Sequence, residues 1–141
     1  MDHLFWDNLA SDYGIKAEVT KRDNKLKEIV ESPSWVIEGV YFKWVAPSFD
    51  LADKIFILNT PISIQEERIW NRYEKRKAGI LPTTKNETVE SIQALIVWNR
   101  NYNTDLLPNF VRDSVYKDKM IQLADNESIF NYLTKYGLPR K

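Results

Sequence analysis

Three short, dense apolar runs, at about Ser34 to Glu38, Lys54 to Leu58 and Met120 to Leu123, constrain most strongly what this chain can fold into. None alternates apolar with polar residues as a half-exposed strand does, and each is bounded by turn or charged residues. That is the pattern of strands buried on both faces. The segments between them carry helical spacing instead. Val19, Leu26, Ile29 and Val30 define a surface helix within residues 16–32, stopped by Pro33. Ser63 to Lys77 is a second helix, with Ser63 as N-cap, Glu66 three residues on as in a capping box, and Gly79 as its stop. Glu87 to Asn101 is a third, carrying Val89, Ile92, Leu95, Ile96 and Val97. Thr104 to Val111 is a short fourth and Asn126 to Tyr136 closes the chain. The aromatic stretch at 40–51, interrupted by Pro47, is expected to be loop with one helical turn. Helices alternating with buried strands predict an α/β fold with a parallel sheet covered on both faces. Ligands then bind beyond the strands' carboxyl ends, where Glu38 and Asn59 fall.

Length and composition narrow the function classes. The 141 residues fit one domain, taken as residues 1–141. Lys plus Arg and Asp plus Glu each number 20, so no global field draws the chain to nucleic acid or anionic lipid. Cysteine is absent and His3 is the single histidine, which removes disulfides, thiolate zinc sites, cysteine nucleophiles and multi-histidine metal sites. No apolar run approaches the roughly 20 residues that span a bilayer, and the first residues lack a signal-peptide pattern, so a cytoplasmic location without membrane contact is expected. A serine hydrolase lacks its G-x-S-x-G, and nothing marks a pair of carboxylates for glycosidase chemistry.

The sharpest polar feature is Arg68, Arg72 and Arg76 at i, i+4 and i+8, with Lys75 beside them. Such a stripe serves either phosphate recognition or a solvated surface balanced by Glu66, Glu67 and Glu74. Glu38, before Gly39, is placed where a carboxylate can hold magnesium or its waters beside nucleotide phosphates. Asp2, His3, Trp6 and Asp7 cluster near the start of the sequence. Arg100 lies near the end of its helix, where a cation favours the dipole.

Taken in order, LFWDN, SWVIEGVYFKWV, ADKIFILNTP, RIWNRYEKRK and WNRNYN resemble the adenylate kinase-like P-loop proteins known as DNA topology modulation proteins, over nearly the whole chain. The likeness rests on spacing: a strand ending in acid-Gly-x-Tyr (Glu38 to Tyr41), Ala-Asp before an apolar strand ending in proline, then Arg-x-x-x-Arg, then Trp-x-x-Arg. In that family the unit holding the first strand, the G-x-x-x-x-G-K-[ST] loop and its helix precedes the Leu-x-Trp motif. No such loop occurs in these residues. The resemblance therefore implies an incomplete P-loop kinase-like three-layer α/β/α fold whose parallel sheet lacks its first strand, with a lid-like region at about 63–101.

It also implies nucleotide-dependent phosphoryl transfer, inactive in this chain as it stands, with Mg2+ and ATP as cofactors. Arg68, Arg72, Arg76 and Arg100 are the implied catalytic cations, and Glu38 the cofactor-side residue reaching the metal through water. Asp2, Trp6 and Tyr41 are implied to face a small-molecule or nucleotide acceptor. A sheet without its first strand would expose backbone groups and favour self-association. Two other readings stand beside this one. One is a non-catalytic interaction protein. The other is a nucleic-acid-binding module using the cationic helix with Trp70 and Tyr73, although the neutral chain lacks the broad basic surface of a duplex binder.

Overall fold

Two of the three expected strands form, and they pair in parallel. The structure is a computed structural model that describes residues 19–83 and 86–136. Strands β1 (Ile55–Leu58) and β2 (Met120–Leu123) run side by side, Ile55 opposite Met120 through Leu58 opposite Leu123. Beyond the ladder the Asn59 N–H donates to the Leu123 carbonyl at 2.7 Å and its Nδ2 to Gln122 Oε1 at 2.8 Å, so the carboxyl ends are held together. A parallel neighbour cannot be reached by a tight hairpin and needs a long crossover. Here that crossover is helical: α3 (Ile62–Lys77), α4 (Val89–Asn101), a π-helical segment (Tyr102–Leu106) and α5 (Leu107–Asp113), before a 3-10 turn (Lys117–Lys119) enters β2. Helices α1 (Val19–Val30) and α2 (Ala46–Leu51) precede β1, and α6 (Glu127–Tyr136) follows β2.

The expected strand at Ser34 to Glu38 does not form. Trp35 to Glu38 carry no regular structure, and Val36 is 92% exposed. An apolar run becomes a strand only when a neighbour takes up its backbone donors and acceptors, and the sheet of the described residues ends at β1 and β2. The described chain is thus mixed α/β and mostly helical, with a small parallel sheet of two strands among the described residues.

Helix ends follow local chemistry. Thr88 caps α4 through a reciprocal pair: the Ser91 N–H donates to Thr88 Oγ1 at 3.1 Å and the Thr88 N–H to Ser91 Oγ at 2.9 Å. The capping box expected at Ser63 and Glu66 is absent. Pro61 occupies the N-cap position without a side-chain cap, and Gln65 Nε2 instead donates back to the Thr60 carbonyl at 2.6 Å. At its other end α3 closes as expected. Gly79, at φ 76°, lets its own N–H reach the Arg76 carbonyl at 3.0 Å and the Ile80 N–H reach Lys75 at 2.8 Å, a Schellman closure. The aromatic stretch before β1 is more helical than expected, because Pro47 falls in the first turn of α2, where its missing N–H costs nothing. Lys119 Nζ donates to the Phe49 and Asp50 carbonyls at the end of α2, both at 2.8 Å, tying that helix to the entrance of β2.

Two packed regions hold these elements. Ile69 and Tyr73 of α3 meet Ile92 and Ile96 of α4, with Trp70 and Leu95 against them; the i, i+4 spacing on each helix makes the seam. A chain of rings, Phe42 on Phe110 (4.4 Å), Phe110 by Phe49 (5.5 Å) and Phe49 by Tyr116 (5.6 Å), fastens α2 and its approach to α5. No helix among the described residues is long and apolar enough to cross a membrane.

Two substitutions separate these contributions. Ile92, 3% exposed, when replaced by alanine is expected to cost about 2–5 kcal/mol in urea unfolding, as cavities at such sites do. Gly79→Ala is expected to cost only about 1–2 kcal/mol, because nothing lies within 4 Å of an added Cβ and the backbone conformation alone is penalised.

Candidate functional site

The arginines of α3 do not act as one stripe. At about 100° per residue, each step of four advances by about 40° around the helix, so the three guanidiniums spiral rather than align. Arg68 and Arg72 are exposed. Arg76 has rotated toward the seam, and its Nη1 donates to Glu87 Oε1 and Oε2 at 3.2 and 3.4 Å. This pair is partly enclosed, at 35% and 11% side-chain exposure, and it bridges α3 to the entry of α4. Arg100, on α4, reaches back to α3, its Nε and Nη2 donating to the two oxygens of Glu66 at 2.5 and 3.1 Å. The two-pronged hydrogen bond from Arg100, and then its charge, hold the Glu66 carboxyl below its ordinary range; partial burial opposes them. Two of the four expected catalytic cations are therefore already engaged by carboxylates.

The carboxyl end of β2 leads into a second polar group. Asp125, just beyond that strand, accepts the Ser128 N–H and hydroxyl, both at 2.9 Å, and so caps α6. Those bonds chiefly hold its carboxyl below the usual range, and the charge of Arg68 adds a smaller share. Behind this end of the sheet Gln65 and Asn103 exchange two hydrogen bonds of 3.1 Å, and Asn103 Nδ2 also donates to the Asn99 carbonyl at 2.7 Å. Glu38 is exposed in the segment that did not become a strand. Among the described residues no group of three potential ligands could hold a metal ion. Asp2, His3, Trp6 and Asp7 lie outside the described residues. Trp70 and Tyr73, named above as stacking platforms for bases, are instead committed to the α3–α4 core, ring edge against ring face at 6.0 Å, with Tyr73 buried.

Tyr41 leads to a second location. It lines an open cavity of about 940 Å³ bordered by α1, the approach to α2, and the junction of α4 with the π-helical segment. Trp44 is fixed there by its Nε1, which donates to Asp23 Oδ1 at 2.8 Å, and the Arg22 guanidinium lies over its ring at 5.7 Å. Trp98 stacks on Tyr102 at 5.2 Å and 25°. The wide π turn, braced by Thr104 Oγ1 donating to the Arg100 carbonyl at 2.8 Å, carries both Tyr102 and Leu106 into the cavity wall. Burial pushes the Tyr102 hydroxyl up to about 12. The sequence reading passed over Trp44, Trp98 and Tyr102, although the i, i+4 spacing of Trp98 and Tyr102 around Arg100 was a signal for a shared aromatic face.

Comparison of the chain with family models, curated proteins and solved structures finds no match.

The Arg100–Glu66 pair is open to direct test. Because the folded Glu66 value is depressed, the stabilisation from this pair is fully present above the unfolded-state value and is lost as pH falls through the folded one. In a carboxyl NMR titration the Glu66 midpoint is expected below the ordinary 4.5, and Arg100→Ala should bring it back up. An unchanged midpoint in the variant would separate the two groups in solution.

Proposed function

We propose that this chain takes part in nucleotide-dependent phosphoryl transfer as a P-loop kinase-like protein, its share being phosphate-facing arginines and an acceptor side. The observation that carries the reading is the pair of exposed guanidiniums, Arg68 and Arg72, on the helix that follows the carboxyl end of β1, the side on which open α/β sheets take their ligands. Arg68 and Arg72 are exposed guanidiniums suited to two-pronged contact with phosphate oxygens. Arg76 and Arg100 could join them only by releasing Glu87 and Glu66, which makes the lid-like role of α3 and α4 a matter of exchanging one anionic partner for another. Tyr41 marks the acceptor side.

The described residues do not fit a magnesium–nucleotide site. Glu38 stands in no ligand group, and the sequence holds no G-x-x-x-x-G-K-[ST] loop to wrap phosphates in backbone N–H groups. The contribution of these residues is therefore anion binding. A non-catalytic interaction protein is the second reading, favoured by the exposed apolar side chains Val36, Val115 and Phe130; it calls for self-association or partner capture without anion binding.

Calorimetric titration of tripolyphosphate and of Mg-ATP into the 141-residue chain decides between them. Weak, salt-sensitive tripolyphosphate binding is expected, with Arg72→Ala lowering affinity about two- to fivefold at an unchanged melting temperature, the weight of one exposed charge contact. Mg-ATP should bind no better than tripolyphosphate. Absence of anion binding by the folded chain would sink the phosphoryl-transfer reading, and tight magnesium-dependent ATP binding would overturn the judgement that the site does not fit.

A further inference from the structure

The seam between α3 and α4 is apolar along one half and polar along the other. Ile69 and Tyr73 against Ile92 and Ile96 make the first half. Nearer the carboxyl end of β1, the facing residues are Gln65 and Glu66 on α3, and Asn99, Arg100 and Asn103 on α4 and its π-helical continuation. Asn99 follows Ile92 and Ile96 on one face of the helix. Its Nδ2 is closed off from solvent and has no hydrogen-bond partner among the described residues. Turning the carboxamide over does not supply one, because Nδ2 would then face Asn103 Nδ2, which already donates to Asn99 Oδ1 at 3.2 Å. A sealed donor without an acceptor destabilises the closed seam, and it regains water when the seam parts. The ion pairs differ in the same sense. Arg76 and Glu87, beside the apolar half, are the more enclosed pair, whereas Arg100 is 59% exposed. A pair that water and salt can reach yields more readily to a competing anion than an enclosed one.

We infer that α3 and α4 form a clamp hinged on Ile69, Tyr73, Ile92 and Ile96. It parts at the Asn99 end and there releases Arg100 from Glu66 to an incoming phosphate-type anion, while Arg76 stays on Glu87. The clamp rests on the anion-binding reading above and narrows it, since only one of the two engaged arginines becomes available to the anion. Asn99 is a positioning residue. Its unmet donor weakens the closed form, so the open form is populated before an anion arrives, and apparent affinity scales with that population.

Nitrogen-15 NMR on the full chain, with and without tripolyphosphate, tests it. In the free chain the Asn99 side-chain N–H groups should show protection from exchange at least about tenfold below that of the Tyr73 and Ile96 backbone N–H groups, because they open with the clamp rather than with the whole fold. Added tripolyphosphate should shift the Arg100 Nε–H signal and leave that of Arg76 in place. Asn99→Leu replaces the unmet donor with an apolar group of similar size. It should raise the melting temperature and weaken tripolyphosphate about five- to tenfold, although residue 99 is not itself a ligand. Asn99→Ala removes the same donor without a branched side chain and should move affinity in the same direction, which keeps the comparison intact if the leucine variant folds poorly. Equal responses of Arg76 and Arg100 to bound tripolyphosphate, protection of Asn99 as high as that of the core, or unaltered affinity in both variants would overturn the clamp. Failure of tripolyphosphate to bind would instead remove the phosphoryl-transfer reading and, with it, the role given to Arg100. Low protection of Asn99 in that case would still show that the seam parts.

Discussion

The packing of α3 against α4 is the constraint on which the rest of this structure depends. β1 and β2 lie side by side in parallel, and neither gains a partner until the whole crossover between them has been fixed. Ile69 and Tyr73 against Ile92 and Ile96 provide that fixation with apolar contacts alone. The polar contacts then flank the seam. Arg76 with Glu87 and Arg100 with Glu66 each span from one helix to the other, and their geometry follows from the angle at which the apolar faces meet. The price of this arrangement is that two guanidiniums are turned inward, toward protein carboxylates, and two are left facing water.

What could be read from the sequence was local. β1, β2, α3 and α4 lie within a residue or two of their expected bounds because spacing and stop residues decide them: Gly79 for its positive φ, Thr88 with Ser91 for their reciprocal cap. What failed was whatever a distant residue decides. SWVIEG has the composition of a strand, yet composition cannot supply a neighbour, and Val36 remains in solvent. Ser63 and Glu66 have capping-box spacing, but Glu66 is drawn to an arginine far along the chain and Gln65 does the work at the helix start. The arginine stripe likewise looked coherent on paper, since the drift of a four-residue repeat and the location of Glu87 are invisible to pattern reading. Tyr41 lines a cavity with Trp44 of its own stretch, whereas Trp98 and Tyr102, joined to each other by i, i+4 spacing, come from too far along the chain for a local signal to bring them to it.

The two places that emerge have different physical characters. Around α3 the groups are charged and wet, and their interactions fade with salt and change with pH. Around Trp44, Trp98 and Tyr102 they are aromatic, with Trp98 exposed and Tyr102 buried, and burial raises the Tyr102 hydroxyl to about 12. Helix α4 belongs to both, presenting Arg100 to Glu66 and Trp98 to the cavity.

The π-helical segment that continues α4 gives this division a mechanical side. A π turn spends more residues per revolution than an α turn, so Tyr102 to Leu106 behave as a phase adjuster between α4 and α5. Upstream, the phase is locked by Ile92 and Ile96; downstream, by the Phe110 ring lying on Phe42. Tightening the turn to ordinary α geometry with all of its residues kept would turn everything beyond it by about a quarter of a revolution. Phe110 would leave Phe42, and the α2 side of the cavity would lose its anchor. Removing one residue at the same time would cancel that rotation, so residue count and turn width at this junction are matched to each other.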